Sequence, residues 1–256
     1  MSDPHMALIR GALYYMGQPK IDLLVLGLPV NTFEKYNVQL AKRVIGKHPV
    51  PFREKDGSMS QREIEVANCR VIPQPIGAFF DYATKTRTYD RMRSQMNLLI
   101  DIGFYTLDWL VADGVKMVNA RSGAHNGGMS AVIRAMADAI GGQIGEQISD
   151  LSILEEAIRT GTNPSFYGKP FDITEHLKLG KAKAEQFVSV LVNKVGSALD
   201  ISNIILAGGG AEFFKDVLAD KFPRHEIITT SDPVFANVRG FQRAGQQFAE
   251  QLTKRS

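Results

Sequence analysis

The chain has 256 residues, 44% of them hydrophobic, enough for one large domain or two small ones with an ample core. Thirty Lys and Arg residues against 27 Asp and Glu leave a net charge of +3 with no block of like charge, which argues against a nucleic-acid-binding surface; the densest basic stretch, Lys85 to Arg93, reads as a solvated connector. A single cysteine, Cys69, excludes a disulfide framework and fits a reducing cytoplasm, the five histidines lack metal-ligand spacing, and no apolar run reaches the roughly 18–20 residues of a membrane span.

The opening "MSDPHM" reads as an expression scar and is set aside. "ALIRGALYYMGQPK" reads as a helix and turn. "IDLLVLGLPV", Ile21 to Val30, is a continuous apolar run ended by Gly-Leu-Pro, the mark of a buried strand in a mostly parallel sheet. Asn31 or Thr32 can cap the helix that follows, to about Gly46. Asp56-Gly57 between two extended stretches signals a hairpin, whose second arm is expected to run from Arg62 to Ile72. Pro75 can start a helix with the apolar face Ile76, Phe79, Phe80 and Ala83. Strands are expected over 97–102, 106–112 and 115–119, with Gly114 turning between the last two. Helices follow over 130–140, 151–159 and 174–199, with a Gly/Pro-rich loop, "TGTNPSFYGKPFD", before the longest. "ISNIILAGGGAEFFKDVLADKF" reads as strand, triple glycine and helix, "HEIITT" as a short strand, and the end of the chain as a helix. The alternation makes the chain α/β.

Three stretches have the residue types of a chemical site. In Asp101 to Thr106 a tight turn between strands can aim backbone N–H groups at an anion, with Mg²⁺ between Asp101 and a phosphate; the same residues also suit a plain hairpin with an aspartate at its turn. Gly208-Gly209-Gly210, after a strand and before a helix, let a ligand lie against bare backbone, or simply form a tight turn. The stretch is neither G-x-G-x-x-G nor a G-K-[ST] phosphate loop. Gln74, between Pro73 and Pro75 at a strand-to-helix junction, can orient an attacking water or be an ordinary loop residue.

Taken in order, "VIPQPIGAFFDYA", "LLIDIGFYTLDWLV", "SGAHNGGMSAVIRAM" and "IILAGGGAEFF" resemble the actin-like ATPase superfamily. "RGALYYMGQPKIDLLVLGLPVNTFEKY" and "ANVRGFQRAG" are similar to its plasmid-segregation StbA/ParM-like family of the PRTRC-system type, over essentially all of 7–251. The resemblance implies an actin-like, ribonuclease H-like α/β fold with two subdomains around a nucleotide cleft. Residues 7–94 with 232–256 would form the first, and 95–231 the second. It implies an ATP-binding protein that forms nucleotide-dependent filaments to partition plasmid DNA. The partners would be itself and an adaptor protein on the plasmid, with no direct nucleic-acid or membrane contact, in the cytoplasm.

By the same resemblance, Asp101 would be the Mg²⁺-side carboxylate, reaching the metal through water, and Gln74 would place the attacking water. The N–H groups of Gly103, Phe104 and Tyr105 would face the β- and γ-phosphates of ATP or ADP, with Thr106 closing the turn. Gly208, Gly209 and Gly210 would lie against the nucleoside, Phe213 close to the base, and Gly127 and Gly128 along the rim. Lys181 and Glu185 on the long helix would reach ribose or base. The superfamily begins with a strand hairpin bearing a first D-x-G phosphate loop, absent before Ala7. The sequence is therefore expected to be N-terminally truncated, with weak or no ATP hydrolysis of its own and an unpaired sheet edge that favours self-association. Other functions on such a fold are a small-molecule kinase or phosphatase, with Asp108 or Asp113 as base, and a nucleotide-binding module without turnover.

Overall fold

The computed structural model describes residues 3–253. Helix α1 (Asp3–Met16) leads into β1 (Lys20–Ile21), β2 (Leu24–Leu28) and α2 (Val30–Val44). Then come the hairpin β3 (Gly46–Arg53) and β4 (Met59–Val66), strand β5 (Cys69–Pro73), and helices α3 (Ile76–Lys85) and α4 (Tyr89–Met92). The meander is β6 (Met96–Ile102), β7 (Leu107–Asp113) and β8 (Lys116–Met117), followed by β9 (Gly123–His125). Helices α5 (Met129–Ile144) and α6 (Ser152–Thr160) precede a small hairpin, β10 (Ser165–Phe166) and β11 (Lys169–Pro170). The chain finishes with α7 (Thr174–Val195), β12 (Ile201–Ala207), α8 (Ala211–Lys221), β13 (Ile227–Thr229) and α9 (Ala236–Thr253).

The main sheet has the order β13-β12-β6-β7-β8, with β9 also on β7. Strands β13, β12 and β6 are mutually parallel, and β7 returns antiparallel to β6. Alternation along β6 gives this sheet two apolar faces. Leu98, Ile100 and Ile102 join residues of α5, α7 and α8 in one core, whereas Leu99, with Leu110 and Ala207, joins Phe79 and Phe80 of α3 and Ala244 of α9 in another. A third core unites α1, β2, α2, β3 and β4 around Leu13, Leu40 and Val66. Strand β2 pairs in parallel with β5 as a separate two-stranded sheet.

Helices α3 and α9 cross at glycines. A Cβ on Gly240 would stand 1.7 Å from the Gly77 carbonyl oxygen, so no larger residue allows this crossing. Beside it the buried Asp81 accepts from Arg239 at 3.0 Å and from Arg243 at 3.3 Å.

Several boundaries differ from expectation. Residues 3–6 belong to α1, and Met6 is buried with Ile9 and Leu13 along one helical face. The expected single strand over 62–72 is two strands of different sheets. The Ala67 N–H donates to the Ile21 carbonyl and the Asn68 carbonyl accepts from Leu24, so the chain changes sheet there. The long helix stops at Val195 because Gly196, at φ +79°, leaves the helical region. The Gly/Pro-rich loop holds the hairpin β10–β11.

Candidate nucleotide site

Strands β2 and β5 end together as one parallel pair and β6 and β12 as another, and ends of parallel strands are where open sheets bind ligands. The Gln74 N–H donates to the Leu28 carbonyl at 2.8 Å, which sets Gln74 at the end of both β2 and β5. Asp101 is paired directly across the hairpin with Asp108, and both side chains are buried, 8% and 6% exposed. Each carboxylate reaches out of its own sheet. Asp108 accepts the N–H of Val30 at 3.3 Å, at the first residue of α2, where a negative charge favours the helix. Asp101 accepts from Asn237 Nδ2 at 2.8 Å, on α9.

Burial raises the Asp101 carboxyl to about 6, the nearby Asp108 adds to the rise, and the Asn237 hydrogen bond offsets part of it. Burial also raises Asp108, against the hydrogen bonds from the Thr106 hydroxyl and the Val30 N–H. Neither acid forms a salt bridge of 4 Å or less among the described residues. Two buried, hard carboxylates without a counter-charge suit a divalent cation that takes its remaining ligands from water and phosphate. No three acidic, His or Cys side chains converge among the described residues.

The turn 103–106 is closed by the Gly103 N–H, which donates to the Thr106 carbonyl at 2.9 Å. The expectation that this N–H faces a ligand therefore does not hold, because its hydrogen bond is spent within the hairpin. The N–H groups of Phe104 and Tyr105 have no backbone partner among the described residues. Helix α5 starts under the turn: Met129 and Ser130 donate to the carbonyls of Gly103 and Phe104 at 3.1 and 2.8 Å. Gly128 is buried in that junction and Gly127 against His125 and Phe187, so both support the turn from behind and neither lines the cavity.

Beside the turn lies a cavity of about 460 Å³, a size that suits a small ligand. Phe104, Met129, Leu177, Lys181, Gly209 and Phe213 line it. Lys181 is held by Asp216 at 2.9 Å. Glu185, one helical turn further along α7, is exposed and outside that lining. Gly209 and Gly210 line the cavity, whereas Gly208 serves packing: at φ +86°, it lies where a Cβ would meet the Ile102 carbonyl at 2.3 Å and Asp101 Oδ1 at 2.6 Å. Gly210 donates to that same carbonyl at 2.9 Å. The triple glycine thus lies directly on the end of β6.

The fold around this site recurs in known proteins. The profile of the family "Archaeal actin homologue MreB-like, C-terminal" matches residues 99–220, and that of "Actin like proteins N terminal domain" matches residues 1–77. An archaeal actin homolog, Ta0583, solved in complex with ADP, superposes with a TM-score of 0.79 at 20% identity, over 96% of this chain and 78% of its own. The chain has the actin-like ATPase fold. A non-polymerisable mutant of the pCBH ParM protein superposes at 0.72 with 22% identity, over 96% of this chain and 76% of that one. A 15-stranded ParM filament from Clostridium botulinum gives 0.67 at 22% identity, over 88% of this chain and 66% of that one. No curated protein sequence matches significantly.

Within the actin-like fold, the structure brings together Asp101, the 103–106 turn and the triple glycine, with Lys181 and Phe213 in the adjoining cavity, while Gln74 stands at the end of β2 and β5 and outside that lining. Sequence reasoning missed Asn237, and weighed Asp108 only as the base of a different enzyme. The signal for Asp108 is its register, since a strand hairpin turning over 103–106 sets 101 opposite 108. Nothing local marks Asn237, which lies 136 residues from its partner.

Proposed function

We propose that this chain is a nucleotide-binding actin-like protein of plasmid segregation, which assembles into filaments when it holds ATP and engages an adaptor on the plasmid. The observation that carries the nucleotide reading is the 460 Å³ cavity opening beside a turn with two unpartnered backbone N–H groups and a buried acid pair. Its residues divide the ligand between them. Phe104 and Tyr105 offer N–H groups to phosphate. Gly209, Phe213 and Lys181 take the nucleoside, and Asp101 with Asp108 holds hydrated Mg²⁺. When bound, Mg²⁺ would neutralise charge on the phosphates. Gln74 orients the attacking water in this reading, and Glu185 is kept only as a peripheral contact. The division into 7–94 with 232–256, and 95–231, belongs to the same proposal, as does a cytoplasmic location.

The ADP complex of the archaeal homolog supports nucleotide binding, and the ParM filament supports self-assembly. Among the described residues no helix is long and apolar enough to cross a membrane. The test combines fluorescent ADP titration, with and without Mg²⁺, and sedimentation with ATP, ADP or no nucleotide. Mg²⁺-dependent binding and ATP-dependent pelleting are expected. Absence of nucleotide binding overturns the reading; binding without pelleting in any nucleotide state overturns its filament part.

A further inference from the structure

We propose that Asn237 is a positioning residue for Asp101, fixing the carboxylate of the nucleotide cleft to the first turn of α3. The inference rests on the nucleotide reading above. The planar amide spans two elements that the sequence separates widely. Its Nδ2 donates to Asp101 Oδ2 at 2.8 Å, and its Oδ1 accepts the N–H of Ala78 at 3.1 Å. One donor and one acceptor at fixed spacing are what this bridge requires, and both are used.

The bridge has a rigid base. Asn237 lies one turn from Gly240, which is pressed against Gly77, and two residues from Arg239, which reaches the buried Asp81. On the other side, Asp101 Oδ1 lies against Gly208, where a Cβ would be 2.6 Å away. The carboxylate is therefore held at one oxygen and walled at the other. The anchor on α3 is four residues beyond Gln74, so the same amide ties Asp101 to the helix that follows Gln74.

A mutant cycle tests whether Asn237 acts through Asp101. Asn237→Ala and Asp101→Asn are made singly and together, and ADP affinity is titrated fluorescently with Mg²⁺ and with EDTA, alongside thermal unfolding. With Mg²⁺, Asn237→Ala is expected to weaken ADP binding about tenfold in the native background, the scale of a lost charge-assisted hydrogen bond. On the Asp101→Asn background the loss should shrink to about twofold or less, because the group being positioned has gone. In EDTA the native protein and Asn237→Ala should bind ADP alike. An equal loss on both backgrounds marks an effect through α3 alone and overturns the inference, as does no loss on either. If Asn237→Ala does not fold, Asn237→Ser replaces it, since the shorter hydroxyl cannot span both partners. A native protein that binds no ADP overturns the nucleotide reading itself, and this inference with it. Binding with a background-independent loss overturns the inference alone.

Discussion

Replacing Asp101 by Asn should make the unliganded protein more stable and, under the proposed function, remove the Mg²⁺-dependent part of nucleotide binding. Asp101 is 8% exposed, and its carboxyl is raised from 3.8 to about 6, first by burial and then by the charge of Asp108. Between those values the folded protein keeps a proton that the unfolded chain releases. Stability therefore falls as pH rises through this window and levels off above about 6, where the ionised, buried form persists. At about 1.4 kcal/mol for each tenfold, the full cost at neutral pH is on the order of 3 kcal/mol. Asparagine removes the titration and keeps the shape; its amide oxygen can still accept from Asn237. For a chain of this size the gain corresponds to roughly 6–12 °C in melting temperature. The assay is thermal or urea unfolding of both proteins at about pH 4.5 and about pH 7.5. Asp101→Asn should be the more stable at the higher pH, with the difference shrinking strongly at the lower. An equal difference at both, or a destabilised variant at neutral pH, would refute the account of Asp101 as a buried, uncompensated charge. Such a gain in stability at the expense of function is what a site built to receive a cation predicts.

The other predictions concern packing and the cavity. Gly208→Ala adds a Cβ at 2.3 Å from the Ile102 carbonyl oxygen at a φ of +86° and should cost about 3 kcal/mol or more, seen as a lowered denaturation midpoint. Arg239→Ala leaves the buried Asp81 with Arg243 only and should cost about 2–3 kcal/mol, whereas Arg243→Ala, which removes the single 3.3 Å contact, should cost less in the same unfolding assay. Phe213→Ala, opening the wall of the cavity, should weaken ADP binding about tenfold, and Glu185→Ala, outside the lining, should leave it within about twofold by fluorescence titration.

Much of the fold was legible without coordinates. Residues 129–144 and 174–195 read as helices because one stripe of each is buried, whereas the apolar run at 21–30, expected as one buried strand, is divided between β1 and β2 of different sheets. The turns at Gly57 and Gly114 carry their own conformational mark, at φ +86° and +60°. Residues 62–73 misled because β4 and β5 have the same extended propensity, and only their partners, β3 and β2, assign them to different sheets.

The candidate site divides in the same way. By itself the sequence determined which segments form strands and helices and where the glycine turns and Asp101 stand among them, since hydrophobic period and turn chemistry act over a few residues. Tertiary structure alone decided that Asp101 and Asp108 are both buried, and that Asn237 reaches the Asp101 carboxylate from α9. They arise from the packing of helices on the sheet and from the crossing of α3 with α9, which no local pattern encodes because their energies exist only once distant segments have packed together.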